Sequence, residues 1–185
     1  YWPGALTRSA RFSDAILTIS EASKRGIVER LQVAPEKITV TRLGSSHLPS
    51  PPLSFVRRGE KQPYILFVGA LEPRKNVPLL IRAFARIARD IPHRLVIAGK
   101  HDNDFGAVRT ALRESGLGNR INLKNFVSQA DLSALYIRAD LFVWPSVYEG
   151  WGLPPLEALA SGVPTIVSDG GSLPEVVGEA GVIVP

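Results

Sequence analysis

The chain has 185 residues, 45% of them hydrophobic, no cysteine and a formal charge of +5. That length suits one domain, or one domain and part of a second, and the composition excludes an intrinsically disordered chain. The lack of cysteine excludes disulfides and thiolate-held metal. No apolar run approaches the roughly 18 residues of a membrane-spanning helix.

The charge is uneven. Residues 146–185 contain no Lys or Arg and five acids, Glu149, Glu157, Asp169, Glu175 and Glu179, so residues 1–145 carry +10. No clustered basic run with interleaved aromatics accompanies that excess, which argues against nucleic acid. A basic surface of this kind suits anionic lipid or a phosphate-bearing ligand, or simply solvation. The opening residues 1–12 hold neither an apolar signal stretch nor an initiator Met, and the expectation is that they lie inside a longer protein.

In chain order, 15–20 reads as a strand, 21–31 as a helix and 37–44 as a strand. Residues 45–63 are rich in Ser and Pro and read as a linker. Then the alternation becomes regular. Residues 64–70 form a near-continuous apolar strand. A helix follows, with Asn76 as its cap and Leu79, Leu80, Ala83, Phe84 and Ile87 as its buried face. Strands at 94–99, 120–126, 141–146, 164–169 and 181–185 alternate with helices at about 104–116, 129–138 and 154–161. Ser172 and Glu175 are spaced as a capping box for one more short helix. Apolar strands alternating with helices predict a doubly wound parallel α/β sheet, Rossmann-like, over 63–185. In such sheets ligands bind beyond the carboxyl ends of the strands.

Three loops at those ends carry chemistry. In GALEPRKN (69–76), Gly69 marks a sharp turn or a close approach. Arg74 and Lys75 stand just before a helix N-terminus, where cations oppose the helix dipole. An anion shared by both, such as a phosphate, would resolve that conflict; a solvated basic pair is the plainer alternative. In EGWGLPPLEAL (149–159), the amides of Gly150, Gly152 and Leu153 can face an anion at a helix start fixed by Pro154 and Pro155. Glu149 and Glu157 flank that start. Carboxylates repel phosphate but accept hydrogen bonds from a sugar diol. DGGSLPE (169–175) is turn chemistry, or another wall of the same mouth.

Together, VGALEPRKN (68–76) and YEGWGLPPLEALASGVPTIVSDGGSLPEVVGEAGVIV (148–184) resemble the donor-binding half of family 4 glycosyltransferases, of GT-B architecture. That family carries a Glu–seven residues–Glu motif, matched here by Glu149 and Glu157. SDAILTISEASKRGIVERLQVAPEKITVTRLG (13–44) is similar to the end of the family's first domain. The resemblance implies two facing Rossmann-like domains, here 1–45 (the end of the first), 46–62 (linker) and 63–185 (nucleotide-sugar-binding). It also implies a nucleoside diphosphate sugar as donor, a saccharide or lipid-linked acceptor, no metal or other cofactor, and retained configuration. Carried over by residue, Arg74 and Lys75 would hold the diphosphate, Glu149 the transferred sugar and Glu157 the ribose. The backbone of Gly150, Trp151, Gly152 and Leu153 would meet sugar or phosphate. Gly69 would line the donor site, and Glu149, Arg74 and Lys75 would serve the chemistry.

The PRKN variant (73–76) resembles bacterial mannosyltransferases that build surface polysaccharides, which makes GDP-mannose the expected donor and the cytoplasm, at the inner face of the membrane, the expected place. The departures are Ala70, where many members have Arg; Gly44-Ser45-Ser46-His47, where many read Gly-Val-Asp, with His47 a hinge residue; and Trp151 for a common Phe. Most of the first domain is expected outside this chain, so the chain alone is expected to be inactive. The alternatives are a nucleotide-sugar epimerase of the same architecture and a non-catalytic nucleotide-sugar-binding module. A dinucleotide oxidoreductase lacks its G-x-G-x-x-G turn here.

Overall fold

The first elements are helix α1 (Pro3–Phe12), strand β1 (Ile16–Thr18), helix α2 (Glu21–Leu31) and strand β2 (Ile38–Val40). β1 and β2 pair in parallel, and Ala10, Val33 and Ile38 form a small core of their own. The computed structural model describes residues 3–44, 62–100 and 105–185. The expected linker, apart from Gln62, and the expected hinge residue His47 lie outside the described residues.

From Tyr64 onward strands and helices alternate: β3 (Tyr64–Val68), α3 (Val77–Ile87), β4 (Arg94–Ala98), α4 (Gly106–Ser115), β5 (Ile121–Lys124), α5 (Gln129–Arg138), β6 (Leu141–Trp144), α6 (Leu153–Ala160), β7 (Thr165–Ser168), α7 (Leu173–Val177) and β8 (Val182–Val184). The strands form one parallel six-stranded sheet in the order β5-β4-β3-β6-β7-β8, which is the doubly wound α/β sheet read from the sequence. With right-handed crossovers, α3 and α4 cover one face as the chain steps outward to β5. The helices α5, α6 and α7 cover the other as it returns to β6 and continues to β8. Accordingly α3 packs on α4, α5 on α6, and α6 on α7. The order of the strands reverses between β3 and β6, so the loops leaving these two strands emerge side by side.

Burial explains the strand sequences. Leu66, Phe67, Leu95, Phe142 and Val167 are wholly inaccessible because both faces of the central strands are covered. The edge strand β8 is different: Val182, Ile183 and Val184 are all exposed. On α3 the expected buried face is rotated. Leu80 and Phe84 are buried as read, but their companions are Val77, Ile81 and Ala88, while Leu79, Ala83 and Ile87 face outward. Two neighbouring apolar stripes fit the helical period, and the one that includes Val77 at the helix start wins the sheet.

Asn76 also departs from expectation. It adopts a left-handed conformation (φ 54°, ψ 35°), and its side chain makes no capping bond to α3. Its N–H instead closes a 3₁₀ turn, Pro73–Lys75, on the Pro73 carbonyl at 3.1 Å. One residue thus ends one turn and begins the next helix, and Asn tolerates that backbone better than most side chains.

The ends of β3 and β4 touch closely. A Cβ on Gly99 would fall onto the Gly69 carbonyl, and one on Gly69 would lie 2.6 Å from the Trp144 ring. Gly99→Ala is therefore expected to cost about 1–3 kcal/mol of stability, read from urea unfolding of the full-length protein. A midpoint unmoved by the substitution would mean that this approach is not tight.

Candidate functional site at the β3–β6 junction

The apolar end of β6 sets the floor of the site. Trp144 stacks on Phe67 of β3, with ring centroids 4.9 Å apart, and on Phe142. The close approach foreseen at Gly69 is to this indole: the glycine leaves room for it. Its own N–H is committed to the sheet, donating to Ala98 at 2.8 Å.

The loops after β3 and β6 are joined through backbone. Val147 donates its N–H to the Arg74 carbonyl at 2.8 Å, and Ser146 Oγ lies 2.9 Å from the same carbonyl. This places the side chains of Arg74, Lys75 and Glu149 together. Lys75 Nζ lies 2.5 Å from Glu149 Oε1 and 4.5 Å from the centre of the Trp144 ring. Arg74 Nη1 lies 2.8 Å from Glu149 Oε2, and its Nε bonds Glu72 at 2.7 Å. Ser146 Oγ donates to Glu149 Oε1 at 2.7 Å.

The anion that Arg74 and Lys75 share is thus the Glu149 carboxylate, 9% exposed. Burial alone would push that carboxyl up. The hydrogen bonds from Lys75 and Ser146 and the charges of Lys75 and Arg74 outweigh it, holding the group below its ordinary value. Burial likewise opposes the charge on Arg74, but Glu149 and Glu72 raise its pKa. The two cations differ in access. The Lys75 side chain is 10% exposed, and that of Arg74 is 49% exposed.

The backbone of Glu149 is fixed from β7's loop. Ser172 donates its N–H to the Glu149 carbonyl at 3.0 Å and its hydroxyl to the Trp151 carbonyl at 2.6 Å, with Oγ 3.1 Å from the Glu149 carbonyl. Gly171 forms a parallel bridge to Glu149 with φ +67°, and a Cβ there would strike the Glu149 carbonyl. The segment 169–175 therefore braces the site loop. The expected capping box at its end does not form. Ser172 makes no cap bond to α7 because its hydroxyl is spent on the loop, and Glu175 reaches α2 instead.

Glu157 is buried on α6, and its Oε2 accepts from the Tyr136 hydroxyl at 2.6 Å. Burial, and then the Glu157 charge and bond, hold the Tyr136 phenol well above its ordinary pKa, so it stays a donor. Trp151 lies in the main core, and its carbonyl accepts from Ser172 Oγ. Gly152 (φ +132°) begins α6, and Leu153 beside it is partly exposed. Pro154 and Pro155 lack N–H groups, so the amides at this helix start are those of Gly152 and Leu153. Ser172 was singled out only as half of a capping box, and Ser146, Trp144 and Tyr136 were missed by sequence reasoning. Only Ser146, three residues before Glu149 at a strand end, carried a local signal. Among the described residues no three His, Cys, Asp or Glu side chains gather as a metal site. No described helix is long and apolar enough to cross a membrane.

Lys75→Met strips a buried carboxylate of its closest cation and is expected to destabilise the full-length protein by about 3 kcal/mol in urea unfolding. A loss under a few tenths of a kcal/mol would show that Arg74 and Ser146 suffice. Because the native Glu149 pKa lies below the ordinary 4.5, its contribution is complete above that value and is lost as pH falls through the lower native one. Stability should drop on acidification below about pH 4.5, and Glu149→Gln should flatten that slope; an identical slope in both proteins would contradict it.

Residues 54–185 match the family described as glycosyl transferases group 1. The chain is 33% identical to O-antigen chain mannosyltransferase B of Escherichia coli, over 99% of this chain and 50% of that protein. It is 34% identical to the MMP alpha-(1->4)-mannosyltransferase of Mycolicibacterium hassiacum, over 94% of this chain and 41% of that protein. The chain thus spans half or less of these relatives. Among solved structures, sucrose-phosphate synthase from Thermosynechococcus elongatus shares the fold with a TM-score of 0.82 at 22% identity, covering 99% of this chain and 48% of that one. Anabaena HepE, solved with UDP and glucose, does so with a TM-score of 0.79 at 21% identity, covering 97% of this chain and 51% of that one. With a family match over most of its length, and relatives whose alignments take in almost all of this chain, the chain belongs to the glycosyl transferases group 1 family.

Proposed function

We propose that the full-length protein transfers a hexose, with retained configuration, from a nucleoside diphosphate sugar to a saccharide or lipid-linked acceptor, and that this chain supplies the donor side. The observation that carries the proposal is the ionised Glu149 held between Lys75 and a half-exposed Arg74 where β3 and β6 diverge. Mannose is the favoured sugar, because the two mannosyltransferases described above are so named, and GDP is the carrier that the sequence resemblance implies. Residues 1–45 then close the acceptor-side domain, and 63–185 form the donor domain.

In this reading Arg74, the accessible cation, leaves Glu149 for the diphosphate. As the bond from the sugar's anomeric carbon to the diphosphate oxygen breaks, negative charge grows on the departing group. Arg74, Lys75 and the Gly152 and Leu153 amides stabilise it. Lys75 keeps Glu149 ionised, and the carboxylate orients the sugar through its hydroxyls. Glu157, set by Tyr136, accepts from the ribose. No step is assigned to a metal. The basic first part would stand at an anionic membrane surface on the cytoplasmic side, where a lipid-linked acceptor resides.

Titration calorimetry of the full-length protein with GDP, UDP and ADP, and with the matching nucleosides, tests the donor side. Arg74→Ala is expected to weaken diphosphate binding about tenfold and nucleoside binding little. Glu157→Ala should weaken both by about 1–3 kcal/mol. Equal losses for diphosphate and nucleoside in Arg74→Ala would overturn the phosphate assignment. Turnover of GDP-mannose is expected to require an acceptor; conversion of the donor sugar alone would replace transfer by epimerisation.

A further inference from the structure

The first four backbone N–H groups of a helix have no partner within it. At α2, Ser20 Oγ accepts that of Ser23 at 2.9 Å. Two others are taken by a residue from the far end of the chain. Glu175 Oε2 accepts from the Glu21 N–H at 2.9 Å, and its Oε1 accepts from the Ala22 N–H at 2.7 Å. A carboxylate bridging successive amides holds both position and angle, and its charge suits the helix N-terminus.

Glu175 does this from α7, directly after the loop whose Ser172 fixes the backbone of Glu149. The same helix touches the site loop a second time. Ser23 Oγ donates to the Gly150 carbonyl at 3.3 Å. Ser23 and Ile19 lie 3.6 and 3.9 Å from where a Gly150 Cβ would stand, and Ile19 packs on the main core. The Tyr148 hydroxyl lies 3.9 Å from where a Cβ would stand on Gly26, one turn further along α2.

We propose that Glu175 is a positioning residue: by capping α2 it clamps the N-terminal elements onto the loop 148–152 and so sets their distance from the Glu149 cradle. Its effect on turnover rests on the donor-site reading above; the clamp does not. Ser172 and Glu175 have the spacing to cap their own helix, yet both side chains are turned to other segments.

The test uses the full-length protein with Glu175→Gln, which keeps the shape but loses one acceptor oxygen, and Glu175→Ala, which loses both. Amide hydrogen exchange at Glu21 and Ala22 is expected to rise about tenfold in Glu175→Gln and further in Glu175→Ala, with β6 and β7 unchanged. GDP affinity should stay within about twofold, while kcat falls about tenfold and the acceptor KM rises. Unchanged exchange at Glu21 and Ala22 overturns the clamp. Faster exchange with unaltered kcat and acceptor KM makes Glu175 a helix cap only and overturns the positioning role. If the wild-type protein binds no nucleoside diphosphate and transfers no sugar, the positioning role falls with the reading it rests on, and the exchange arm still decides the clamp.

Discussion

A carboxylate with about a tenth of its surface left to water is expensive to keep ionised, and the β3–β6 junction is arranged around keeping Glu149 so. Lys75 and Ser146 bond one oxygen, and Arg74 the other. Ser146 is a near neighbour of Glu149 in sequence, but the two cations are not: Lys75 and Arg74 come from the loop after β3. The cradle exists only because β3 and β6 are neighbours in the sheet, and it holds only because Trp144 supplies an apolar floor that the Lys75 ammonium can face. Ser172 and Gly171 then fix the carboxylate's backbone, so that its direction is set by β7's loop as firmly as by its own.

Much of this was legible in the residues. The alternation of apolar runs and helical periods located every strand of the large sheet; the signal is plainest in the central strands, where cover on both faces demands apolar residues, while the edge strands β5 and β8 are largely exposed. The anion conflict at Arg74 and Lys75 was also legible, but its resolution was not. A cation pair at a helix start calls for a negative partner, and one loop cannot say whether that partner is a ligand or a carboxylate 74 residues away. The capping box failed for a related reason. Ser172 and Glu175 have the right spacing, but a hydroxyl and a carboxylate bond whatever donor or acceptor the fold brings nearest. The fold brings the Trp151 carbonyl and the start of α2. On α3, two apolar stripes fit one period, and the choice between them belongs to the sheet, not to the helix.

The uneven charge of the chain acquires a physical meaning in this fold. Residues 146–185 provide the carboxylates and no cation, so no site built from β6, β7 and α6 alone could neutralise either its own Glu149 or an incoming diphosphate. The positive side chains must arrive from β3, across the point where the sheet reverses direction. That places the exchange of partners at the centre of the proposed chemistry. In that proposal a ligand phosphate would compete with Glu149 for Arg74, which is half exposed, and would leave Lys75, which is buried, to hold the carboxylate. Two cations of unequal burial can therefore divide a task that two equal ones could not: the exposed one is free to change anion, and the buried one keeps the site's own charge satisfied while it does.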